Sequence, residues 1–140
     1  MWKYYAILSA LFAAITAIFA KIGMKNIDSN LATAIRTCVI FLLIWGIVFA
    51  SNSIGGIKEL TKTNWLFLIL SGVTTGLSWL FYFKALQLGD ASKVAPIDKL
   101  SVVFTIFLSF IILKETVSWK VIVGGLLIAG GSLVILMAKQ

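Results

Sequence analysis

LATAIRTCVIFLLIWGIVFA, residues 31–50, holds a single charge, Arg36, in twenty residues. A helix rises about 1.5 Å per residue and needs about 20 residues to cross about 30 Å of hydrocarbon. The uncharged part, Thr37–Ala50, is only 14 residues long. As helix it reaches about 21 Å. To cross a bilayer the helix must start earlier and carry Arg36 inside the interface. The same holds for Leu100–Leu113, which must take in Asp98 and Lys99. A charge at the bilayer centre costs about 2.5–3.5 kcal/mol on insertion scales, and less near the edge.

Around these two stretches the chain reads the same way. The expected spans are 4–20, 31–50, 65–83, 95–113 and 121–138, in one domain over 1–140. Of 140 residues, 61% are apolar and 12% charged, against about 45–50% and about 25% in soluble domains. Between the spans lie turn and cap residues: Asn26, Asp28 and Asn30; Ser51, Asn52, Gly55 and Gly56; Gly89, Asp90 and Ser92. Trp2, Tyr4, Tyr5, Trp65, Trp79, Tyr82 and Trp119 fall mostly near span ends, as interfacial aromatics do. The fold class is all-α integral membrane, with five transmembrane helices. The N-terminal run is too long for a signal core, and no Ala-x-Ala site follows it.

The formal charge of +7 does not point to nucleic acid. The lysines stand singly between apolar runs, at helix ends, where they meet membrane lipid headgroups. The chain has no histidine and one cysteine, Cys38. An internal disulfide is impossible, no metal site is expected, and no cofactor is implied. No nucleophile–base pair or carboxylate dyad occurs in a span, so an enzyme is not expected.

Polar residues inside the spans form stripes. Ser71, Thr75, Ser78 and Tyr82 recur at steps of four, three and four. Asp98, Ser101, Thr105 and Ser109 recur at three, four and four. Ser9, Thr16 and Ala20 share a small face with Ala13. Each set lies on one side of its helix. Two readings fit: close packing of membrane helices, or a polar path through the bundle. Connectivity puts Arg36, Lys84, Asp98 and Lys99 on one side of the membrane, so an Arg36–Asp98 pair is topologically possible. These charges read either as snorkelling anchors with an interfacial ion pair or as functional groups. Asp98 is expected in the first turn of a helix opened by Pro96, where the dipole favours an anion. In the last span, Gly124, Gly125, Ala129 and Gly131 supply a small-residue face for packing or a dimer.

The stretch WLFYFKALQLGDASKVAPIDKLSVVFTIFLSFIILKETVSWKVIVGGLLIAGGSLVI, residues 79–135, resembles one EamA-type domain of the drug/metabolite transporter superfamily. The resemblance rests on Tyr82, Ala85–Leu86, the turn Gly89–Ala91, Pro96, Glu115 and the glycines of 124–131. Ala34–Arg36 is similar to the family's second-helix arginine, and Lys21 to its lysine near the end of the first helix. GGLLIAGG is similar to the dimer face of the small multidrug resistance proteins. Members of the superfamily's larger branch have ten helices from two inverted domains; this chain has one. It also lacks the acidic residue that small multidrug resistance proteins carry in their first helix. Asp98 is the sole carboxylate within a span.

The resemblance implies a transporter in the cell (inner or plasma) membrane, an exporter of a small metabolite or amphipathic compound. A second, inverted copy would complete a ten-helix bundle working by alternating access. Basic residues number five on the N-terminal side (Lys3, Lys58, Lys62, Lys114, Lys120) and seven on the other (Lys21, Lys25, Arg36, Lys84, Lys93, Lys99, Lys139). Such near balance permits dual topology; one fixed orientation would put the N-terminus outside. The expected substrate contacts are Thr16, Arg36, Thr75, Ser78, Trp79, Tyr82, Asp98, Lys99 and Ser101. Alternatives are a half-domain subunit paired with another membrane protein, and a lipid-linked flippase.

Overall fold

The computed structural model describes residues 1–138; Lys139, one of the basic residues counted above, lies outside them. Six helices follow one another: α1 (Trp2–Gly23), α2 (Ser29–Ala50), α3 (Lys62–Leu88), α4 (Ala91–Asp98), α5 (Ser101–Leu108) and α6 (Trp119–Met137). A short 3₁₀ segment, Ser53–Glu59, joins α2 to α3, and a π-helical turn, Ser109–Leu113, extends α5. No strand occurs among the described residues.

Five stretches are long and apolar enough to cross a membrane: Trp2–Gly23, Ser29–Ala50, Lys62–Leu88, Ala91–Leu113 and Trp119–Met137. At most 11% of any of them is buried within the chain. Side chains such as Ile7, Leu42, Phe67, Phe104 and Leu127 stand in the open. In water this exposure would be untenable. In hydrocarbon it costs nothing, while every backbone N–H and C=O must be bonded within its own helix.

The helices overrun the expected spans, by up to five residues at the end of α3. The apolar runs mark the hydrocarbon, but helical bonding continues into the interface until a cap stops it. Asp28 starts α2, its Oδ1 accepting from the amides of Asn30 at 2.9 Å and Leu31 at 3.1 Å. Asn26 (φ 64°) and Asn52 (φ 52°) take the left-handed conformation just after α1 and α2. Asparagine tolerates that region better than most residues. No described glycine has positive φ, so Gly55, Gly56 and Gly89 are not the left-handed turns. Asp90 precedes α4; its carbonyl accepts the amides of Lys93 and Val94, and its carboxylate meets Lys93 Nζ at 3.7 Å.

The fourth span corrects one expectation. Pro96 does not open the helix; it lies inside α4, which begins at Ala91. Asp98 is therefore the last residue of α4, not a residue of its first turn. A proline at the sixth position lacks the N–H that would bond the Ser92 carbonyl. The helix tightens after it: Lys99 N bonds Pro96 O and Leu100 N bonds Ile97 O, both at 3.0 Å. These i to i+3 bonds make a 3₁₀ joint between α4 and α5.

The described chain forms two compact units. One comprises Met1–Phe19 and the chain from Leu88 onward; the other is Ala20–Gln87. In the first, α6 packs on α4 and α5. Gly125 is buried there, and a Cβ added to it would stand 2.8 Å from Ile106 Cδ1. Ser132, also buried, donates from Oγ to the Pro96 carbonyl at 2.8 Å. Gly125, Ala129 and Ser132, at steps of four and three, make the inner face of α6. Gly125 thus packs within the chain; Ala129 and Gly124 are half-buried, and Gly131 is exposed. In the second unit the buried residues are Ala20, Met24, Ser29, Ala32, Thr33, Phe83 and Leu86. They gather at the end of α1, the start of α2 and the end of α3.

Candidate functional site

Arg36 lies seven residues into α2, about 10 Å from its start. Its guanidinium sits over the ring of Phe83, 3.8 Å from the centroid, and Phe83 is itself buried. One terminal nitrogen, Nη1, is buried with no hydrogen-bond partner. Tyr82 stands close to the guanidinium. Tyr82 and Phe83 meet edge to face with centroids 5.2 Å apart, and Trp79 and Phe83 at 6.4 Å. Trp79 and Phe83 are one helical turn apart on α3, which lets them share a face. A cation on an aromatic face gains about 0.5–2 kcal/mol, while an unmet buried donor costs about 1–3 kcal/mol. The arrangement therefore holds an arginine in place and leaves part of its hydrogen-bonding capacity unused.

Trp79 and Tyr82 are half-buried, whereas Thr75 and Ser78 are exposed on α3. Thr75 Oγ1 donates to the Ser71 carbonyl at 2.8 Å. Thr105 does the same to Ser101 at 2.9 Å, and Ser109 to Ile106 at 3.0 Å. These three hydroxyls thus spend their protons on their own helix, and their oxygens can still accept. This is ordinary behaviour for Ser and Thr in helix interiors.

The remaining expected contacts belong to the other unit. Asp98 pairs with its neighbour Lys99 at 3.6 Å, both side chains partly exposed. Ser101 is exposed and Thr16 half-buried. The structure brings together Arg36, Trp79 and Tyr82, with Thr75 and Ser78 on the same helix as the aromatics. Asp98, Lys99 and Ser101 form a separate group at the 3₁₀ joint. Arg36 and Asp98 fall in different units, each with its own neighbours, Phe83 and Lys99.

Three residues were missed as site residues. Phe83 carries Arg36, and its signal was its place one turn after Trp79. Lys21 Nζ donates to the Leu86 carbonyl at 2.7 Å, capping one of the last α3 carbonyls, where a cation suits the dipole. Gln87 Nε2 donates to the Ile27 carbonyl at 2.6 Å, and Gln87 Oε1 accepts from Lys84 Nζ at 3.2 Å. No sequence spacing announces either bond, since each links residues 60 or more apart.

The chain matches the model of the EamA-like transporter family over residues 1–137. It is 47% identical over 134 residues to a Sinorhizobium sp protein named as an uncharacterized transporter in the cobO 3′ region, covering 96% of this chain and 95% of the relative. No solved structure matches. Family and relative point to a transporter rather than an enzyme. With five apolar spans, a family match along almost the whole chain and a full-length relative named as a transporter, the chain belongs to the EamA-like transporter family and is an integral membrane transporter.

Proposed function

We propose that this transporter exports a small metabolite carrying an anionic or zwitterionic group, and that Arg36 recognises that group. The observation that carries the reading is the Arg36 guanidinium: it is seated on Phe83, inside a span, with Nη1 lacking any protein partner. A guanidinium offers five donors in a planar fork matched to carboxylate and phosphate oxygens. Trp79 and Tyr82 supply aromatic surface for the rest of the substrate, and Thr75 and Ser78 supply hydroxyl oxygens. In the other unit, Asp98 is the proton- or cation-carrying group, with Lys99, Ser101 and Thr16 as further polar contacts for substrate.

Transporters of this kind place their site between inverted repeats near the midplane. One five-helix repeat needs a second, and the reading takes it from another copy inserted upside down in the cell membrane, with alternating access between the two. Near-equal basic counts on the two sides support this. So does the outer side of α6, where Gly124, Leu127, Gly131 and Val134 recur at steps of three, four and three. Leu127 and Val134 are widely exposed.

Reconstitution in liposomes tests the reading. Amino acids, carboxylated metabolites and cationic dyes are offered with and without a proton gradient. Uptake of an anionic or zwitterionic solute is expected, falling at least tenfold in Arg36→Gln and partly retained in Arg36→Lys. Unchanged transport by Arg36→Gln, in protein that folds and reconstitutes like the parent, would sink the assignment.

A further inference from the structure

A second basic feature lies in the Ala20–Gln87 unit, apart from Arg36. A pocket of about 370 Å³ is lined by Lys21, Met24, Lys25, Asn26 and Gln87. Lys84 reaches its edge through the bond to Gln87 Oε1. No acidic residue lines it. Its walls are held by bonds already described: Lys21 to the Leu86 carbonyl, Gln87 to the Ile27 carbonyl, and a floor of buried Met24. The turn that closes it holds Asn26 in the left-handed conformation. The pocket is therefore braced from three segments: the end of α1, the turn after it and the end of α3.

Its level in the membrane follows from the helices. α1 ends at Gly23 and α3 at Leu88, so the lining residues stand where the apolar spans give way to headgroups. Anionic surfaces attract lysines there by about 1 kcal/mol each. Basic pockets between transmembrane helices suit phosphate-bearing headgroups for the same reason. Lysine serves phosphate as a compact point charge, and the Asn26 and Gln87 amides offer neutral donors beside it.

From this we infer that the pocket binds a phosphate oxyanion, presented by the headgroup of an anionic phospholipid. The inference uses none of the residues assigned to transport and stands whether or not Arg36 recognises substrate.

Native mass spectrometry of the detergent-solubilised full chain tests it, with phosphatidylglycerol, phosphatidylcholine and inorganic phosphate as probes. Phosphatidylglycerol adducts are expected to outlast those of phosphatidylcholine. Lys25→Gln and Lys84→Gln are each expected to weaken them about fivefold, the equivalent of about 1 kcal/mol. Lys25→Arg, which keeps the charge, retains them. If the two lipids bind alike but inorganic phosphate binds, and is lost in Lys25→Gln, the oxyanion site stands with free phosphate as its ligand. Equal binding of both lipids without phosphate binding overturns the proposal. So does a phosphatidylglycerol preference untouched by both glutamine variants.

Discussion

Ser132 Oγ on α6 donates to the carbonyl of Pro96 on α4 at 2.8 Å. The carbonyl is available because the helix tightens beyond the proline. The Leu100 amide, its α-helical partner, turns to Ile97 instead. A buried serine thus adds a second donor to a carbonyl that already accepts the Lys99 amide, and this bond links α6 to the fourth span at its joint.

Ser132→Ala removes that bond and leaves Pro96 O with the Lys99 amide alone. A loss of about 0.5–1.5 kcal/mol is expected, at the low end for a bond within a membrane. Reversible denaturant unfolding in mixed micelles measures it. Ser132→Thr keeps the hydroxyl and is expected to keep more of the stability.

Gly125 and Gly131 should respond differently to size. An alanine at 125 meets only the flexible tip of Ile106 and is expected to be nearly neutral. Gly125→Leu must push Ile106 aside at the edge of an apolar pocket of about 310 Å³ that both residues line, and is expected to cost about 1 kcal/mol. At Gly131 a Cβ meets nothing within 4 Å, so Gly131→Leu should leave the folded chain as stable as the parent. If the outer side of α6 joins two copies, the same change dissociates them. Light scattering of the detergent complex reads the oligomer, and unfolding reads the fold.

Phe83→Leu keeps much of the buried volume but removes the aromatic face beneath Arg36. The guanidinium is then expected to lose about 0.5–2 kcal/mol of cation–π attraction. Phe83→Ala adds a cavity, for about 3–5 kcal/mol in all. A double-mutant cycle of Phe83→Leu with Arg36→Gln isolates the pair. A coupling near zero would show that the two merely sit together.

Asp28 caps α2 through two amide bonds. Asp28→Ala is expected to cost about 0.5–2 kcal/mol, and Asp28→Asn or Asp28→Ser much less. Hydrogen exchange at the Asn30 and Leu31 amides should quicken in the alanine variant before the rest of α2 changes.

Much of this was readable from the chain. The five spans, the capping role of Asp28 and the turns at Asn26 and Asn52 follow from apolar run length and local backbone chemistry, which act within a few residues. The place of Pro96 did not follow. A proline reads as a helix opener, yet Asp90 started the helix a turn and a half earlier, and the Pro96 carbonyl accepts both the Lys99 amide and the Ser132 hydroxyl. The site was legible in part: Arg36, Trp79 and Tyr82 were marked as contacts, while Phe83, Lys21 and Gln87 were not. Their partners lie far along the chain, and no periodicity records such pairs.

By itself the sequence determined the solvent. So many apolar residues, in runs of membrane length, leave lipid as the medium and helices as the form, because hydrocarbon offers no partner to an unbonded backbone. Which helix face meets which neighbour was decided only in three dimensions. Lipid tails are as apolar as leucine, so hydrophobicity does not sort inner faces from outer ones. Close fit and single polar bonds do that sorting: Gly125 against Ile106, Ser132 to Pro96, Arg36 on Phe83.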